Sequence, residues 1–239
     1  MNAFYGQQAI KDRYLARVRA HRAADEVIHG SYWHGGKGCA VGCTIHGSDH
    51  GAYERELGIP RLLAHLEDAL FENLAPPEDQ AWPERFLEAI PVGACLDLIW
   101  PQWIIALMAE PHHGVLQLVQ EYQWTRQRTA IEAMVALYRT WVDTGSRPAG
   151  AAEAAEAAGA AGAARAARAA RVAWAAEAAE AARVAWAAWA AGAAGAAWAA
   201  GAAGAARARQ WQAETLLELL RAAPVSVGTS VAYAKEKRT

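Results

Sequence analysis

The chain's 239 residues suffice for one sizeable core or two small ones, and its net charge of −2 carries no basic stripe, which argues against nucleic acid as a partner. Its 54% apolar content is inflated by alanine, and no window approaches the ~18 strongly apolar residues of a membrane span. Three cysteines (Cys39, Cys43, Cys95) and an N-terminus with Lys11, Asp12 and Arg13 but no signal-peptide zones point to a cytoplasmic chain without a disulfide framework.

Charge is uneven along the chain. Residues 1–150 carry 13 Lys/Arg against 18 Asp/Glu, whereas residues 151–209 carry six Arg against four Glu. Leucine, isoleucine and valine concentrate before residue 150, so the core is expected there.

Residues 7–29 have the spacing of an amphipathic helix, with Ile10, Tyr14 and Val18 on its apolar stripe. Seven glycines then fall within residues 30–51, which predicts a loop built for unusual backbone angles or close backbone approach. Pro60 suits the first turn of a helix over 60–74, with Leu62, Leu63, Leu66, Leu70 and Leu74 turned inward, and Pro76-Pro77 ends it. Trp82-Pro83 opens a helix to Ile90. The almost wholly apolar stretch 94–109 is expected to be a buried helix that Pro101 kinks or splits. Helices near 112–122 and 125–143 follow. No strand-like alternation stands out, so the fold class is all-α.

The domain layout read from this pattern is a helical globular domain at 1–145 containing the 30–51 loop. A linker at 146–150, a repeat rod at 151–209, and a C-terminal helix and tail at 210–239 complete it. From Ala151 to Arg207 the chain runs in Ala-Ala-X triplets, and Arg171-Val172-Ala173-Trp174 recurs as Arg183-Val184-Ala185-Trp186. Alanine favours an α-helix, but a period of three drifts by about 60° per repeat on one, so X residues share no face. A 3₁₀ helix would align every X on one edge, although long 3₁₀ runs are uncommon. Six glycines would each cost an α-helix about 1 kcal/mol, and Trp174, Trp186, Trp189 and Trp198 call for a packing partner. The α-helix is favoured on base rates, with the 3₁₀ helix as alternative. Trp211, Leu216, Leu217, Leu219 and Leu220 then form an amphipathic helix ended by Pro224.

Chemistry concentrates in the glycine-rich loop. Cys39, Cys43, His46 and His50 offer two thiolates and two imidazoles within twelve residues, the donor types that zinc prefers. Zinc sites usually separate their ligand pairs by a dozen residues or more, so this loop would have to wrap tightly. A second reading is catalytic, with Cys39 or Cys43 activated by Lys37 or a histidine that Asp49, Glu67, Asp68 or Glu72 orients. The third is that both cysteines are small buried residues pinning the loop to the core. Glu67, Asp68 and Glu72 otherwise read as a solvated helix face, His112-His113 as capping or surface residues, and Cys95 as core.

The stretches Gly36-Lys37-Gly38-Cys39-Ala40-Val41-Gly42-Cys43-Thr44, Leu66-Glu67-Asp68 with Phe71-Glu72, and Phe86-Leu87-Glu88-Ala89-Ile90-Pro91, followed by alanine triplets, resemble a set of uncharacterised bacterial and phage proteins. That resemblance implies no activity. Two functions are therefore expected as alternatives. One is a structural or interaction protein whose rod packs on itself or on another protein; the other is an enzyme or zinc-binding module using Cys39, Cys43, His46 and His50.

Overall fold

The computed structural model describes residues 1–117, 125–148 and 206–225. The triplet run falls outside these residues apart from its last two, and with it the choice between α and 3₁₀ backbone and the expectation of self-association. Among the described residues the fold is helical, with isolated β-bridges in place of strands. None of its helices is long and apolar enough to cross a membrane.

Helix α1, Gln8–Ala23, buries Tyr14 and Val18 of the expected stripe and also Leu15, with Ile10 only partly buried, and it ends six residues short of the expected end at residue 29. It packs on α4, Glu78–Ala89, and on α2, Ala40–Ile45. Its cations serve helix ends: Lys11 Nζ donates to the Glu88 and Ile90 carbonyls at the end of α4, at 2.9 and 2.6 Å. Arg17 donates to the Thr44 carbonyl of α2 at 2.8 Å. Both satisfy carbonyls that a helix leaves without a partner.

The glycine-rich segment is not a plain loop, because α2 lies inside it with Ala40, Val41, Gly42, Cys43 and Thr44 all buried. Glycine permits this at two places. Gly35-Gly36, both at positive φ, make the tight turn that His34 and Lys37 close with hydrogen bonds of 2.8 and 3.1 Å. At Gly42 the Tyr32 carbonyl packs so closely that a Cβ would stand 1.4 Å from its oxygen.

Helix α3, Arg61–Phe71, follows a single π-type turn at Tyr53–Leu57. Its buried face contains Leu63, Leu66, Leu70 and also Glu67, which the sequence places on a solvated face. Helix α4 starts before Trp82 and holds Pro83 within it. Helix α5 begins only at Ile99, which puts Pro101 in the first turn. N–H groups there have no intrahelical acceptor, so proline costs little and the expected kink has no cause. Helix α6, Thr125–Thr144, packs on α5.

Helix α7 covers residues 206–221 and enters the same core as α3–α6. Leu216, Leu217 and Leu220 are fully buried. Trp103 Nε1 donates to the Gln212 carbonyl at 3.1 Å, Arg85 pairs with Glu214 at 2.5 Å, and Cys95 N donates to the Pro224 carbonyl at 2.8 Å.

Candidate functional site

Burial decides what Cys39 and Cys43 can do. Cys43 lies inside α2, its thiol directed at the Gly38 carbonyl at 3.2 Å, and burial pushes its pKa up to about 12. Cys39, the residue before α2, is 1% exposed, and its thiol is also pushed up, by burial first and then by the Asp68 charge. Neither thiol is poised as a free thiolate nucleophile. Lys37 directs its amine to the Asp25 carbonyl at 3.5 Å.

The two loop histidines go to different neighbours. His46 ends α2 in the left-handed region, stacks on Trp33 at 4.5 Å and meets His21 Nε2 with its own Nε2 at 2.8 Å. His21 Nδ1 is in turn 2.6 Å from Glu26. His50 turns toward α3 and stacks on His65 at 3.9 Å, with the Tyr32 ring edge-on at 5.4 Å.

Cys39 is instead brought to α3. Its Sγ and a carboxylate oxygen from each of Asp68 and Glu72 all lie within 4.8 Å of one another, the set that this closeness selects among the described residues. His65, Asp68 and Glu72 recur at i, i+3 and i+7, so helical geometry puts them on one stripe. Glu72 is held in place, since Gly30 N donates to both its oxygens at 3.0 and 3.2 Å and His29 Nδ1 stands at 3.4 Å. His29 is itself fixed by Asp79 at 2.8 Å and by stacking on Phe71.

Two buried atoms beside this set lack hydrogen bonds. His50, 7% exposed, has its Nε2 3.6 Å from Asp68 Oδ2 and makes none, and Asp68 Oδ1 makes none either. Buried polar groups are almost always satisfied, so two together single this place out, although Glu67 Oε1 and Gln212 Oε1 elsewhere in the core also lack partners. Both His50 and Asp68 line a cleft of about 570 Å³ walled by Leu62, Leu66, Trp100 and Trp103, with Tyr32 and Ser48 completing its polar side.

Behind the cleft, Glu67 is fully buried and accepts from Tyr53 Oη at 2.5 Å. Burial holds both groups well above their ordinary values, which favours the protonated form of Glu67 inside the core. Cys95, expected in the core, is only half-buried and lies 3.4 Å from Asp97.

Thiol accessibility follows from these positions. Ellman's reagent should titrate one thiol of the native chain quickly and two only on unfolding. Cys95→Ser should remove the fast phase; three equally fast thiols would contradict the burial of Cys39 and Cys43.

Neither a protein family, a curated protein nor a solved structure matches this chain.

Proposed function

We propose that the chain binds a divalent metal ion, zinc by donor chemistry, through Cys39 Sγ, Asp68, Glu72 and His50 Nε2, and presents it to a small molecule in the cleft. The observation that carries this reading is the buried His50 nitrogen without a hydrogen bond, set beside a thiol and two carboxylates whose donor atoms lie within 4.8 Å. A mixed set of sulfur, imidazole and carboxylate suits zinc better than magnesium or calcium, which take oxygen alone. The support behind Glu72, from Gly30 N–H and His29, is the kind of outer contact that orients metal ligands.

A cleft on one side of the set, rather than packed side chains, is the arrangement of catalytic metal sites. Four protein ligands complete a tetrahedron, so a zinc ion held there would take a water or a substrate oxygen from the cleft only as a fifth ligand, and to that ligand it would supply Lewis acidity. The reaction class this favours is hydrolysis or hydration of a polarised carbonyl. Binding would displace the Cys39 proton, so uptake should release acid and weaken as pH falls.

The test is equilibrium dialysis of the metal-stripped full chain against zinc. One ion should bind per chain. Cys39→Ser and Asp68→Asn should each lower affinity by about tenfold or more, while Cys43→Ser and His46→Ala leave it unchanged. Cobalt gives a readout beside affinity, because its thiolate charge-transfer band should appear in the wild type and vanish in Cys39→Ser. A chain that takes up no metal, or one that loses it equally on Cys43→Ser, overturns this ligand set. The triplet run plays no part in the reading.

A further inference from the structure

The cleft's walls carry information about its occupant that the metal set does not. Two carboxylates, Asp68 and Glu72, stand at its floor, and among the described residues no lysine or arginine lines it. With a divalent ion bound to the Cys39 thiolate and both carboxylates, the ligands' charges exceed the ion's by one. Without metal, two carboxylates face a neutral thiol. Counted without His50 and His65, which also line the cleft and of which His50 stands 3.6 Å from Asp68, the floor is net negative in either state. His29 is the titratable base against Glu72, and Asp79 already answers it at 2.8 Å.

Two tryptophans share the lining with these carboxylates. Trp100 and Trp103 lie with ring centroids 5.9 Å apart at 33°, both lining the cleft, and Tyr32 stands at the rim with 45% of its surface exposed. Indole faces attract cations through their quadrupole, most strongly where water is excluded, and carboxylates nearby add Coulomb attraction. Such a surface repels phosphates and carboxylates and gives a neutral molecule only apolar contact. A volume of about 570 Å³ suits a small organic molecule rather than a peptide or polymer.

We infer that the cleft takes a small organic cation, an amine or quaternary ammonium compound, seated between the Trp100–Trp103 wall and the Asp68–Glu72 floor. The inference rests on the reading of this cleft as the ligand site and adds the class of molecule to it. An ammonium group there would leave the remainder of the ligand reaching toward the metal set, so the substrate would carry its reacting carbonyl on the same small skeleton as its cation.

Calorimetry on the full chain, with and without zinc, tests this using three probes of similar size: tetramethylammonium, tert-butanol and acetate. Tetramethylammonium should bind about tenfold more tightly than tert-butanol, and acetate should show no saturable binding to the zinc-free chain. Trp100→Leu should weaken the ammonium by a similar factor and leave zinc uptake unchanged. Equal binding of the alcohol, or of acetate by the zinc-free wild type, overturns the inference without reference to any variant. A chain that takes zinc but not tetramethylammonium leaves the metal centre standing alone. A chain that takes the ammonium but no zinc removes the metal centre and keeps the cation site.

Discussion

Gly42→Ala should destabilise the chain by roughly 3 kcal/mol, the upper end of what overpacking a core normally costs. Two effects oppose each other. Alanine inside a helix is better than glycine by about 1 kcal/mol. Against that, the new Cβ would stand 1.4 Å from the Tyr32 carbonyl oxygen and 2.6 Å from its carbon. Both are backbone atoms, so no rotamer change relieves the overlap and the segment itself must move. That segment is held by the Cys39 N–H donating to the Ser31 carbonyl at 2.7 Å and by Gly38, whose own Cβ would meet Tyr32 O at 2.1 Å. Moving Tyr32 therefore moves Cys39 away from Asp68 and Glu72, and zinc affinity should fall with stability. Gly47→Ala is the control, since nothing lies within 4 Å of a Cβ there. It should be neutral or mildly stabilising by about 0.5 kcal/mol. Urea unfolding of the two variants decides the matter, and Gly42→Ala unfolding at the wild-type midpoint would show that α2 does not seat against Tyr32 as described.

The contrast between α1 and α2 shows where sequence reading works in this chain. Helix α1 has one buried stripe and one charged face, and Tyr14 and Val18 announce it. Helix α2 is six residues long and buried on every side, so it has no amphipathic period, and its glycine is chosen for close approach rather than for a turn. Pro101 misled for a related reason: an apolar run gives no cap signal, so the start of α5 could not be placed relative to it. On α3 the information was present. Leu63, Leu66, Glu67 and Leu70 share one spacing, which puts Glu67 with the leucines, and His65, Asp68 and Glu72 make the adjacent stripe. What no spacing in the sequence reveals is the partner across the cleft. Cys39 and His50 reach α3 through tertiary packing, and their separation from His46 depends on the left-handed turn at the end of α2. The donor types were legible in the loop; their grouping was not.

Leu217→Ala should cost about 2–5 kcal/mol and shift the main unfolding transition, as Leu87→Ala in α4 should. Both leucines are fully buried in one apolar cluster, although the triplet run separates α7 from α6 in sequence. Deleting the leucine side chain leaves a cavity among Leu216, Leu220 and the α4–α5 layer that their packed neighbours only partly fill. The hydrogen bond from Trp103 to the Gln212 carbonyl adds a second tie, and Trp103 is also a wall of the cleft. Losing α7 therefore exposes a tryptophan on one side and loosens the ligand site on the other. A chain ending at residue 148 should accordingly lose cooperative unfolding and zinc binding together. If α7 were instead a separate element at the end of a rod, Leu217→Ala would leave the main transition in place and the truncated chain would unfold at the full-length midpoint. Calorimetric unfolding of the three proteins separates these outcomes, because an element inside one core cannot be weakened without lowering the stability of the whole.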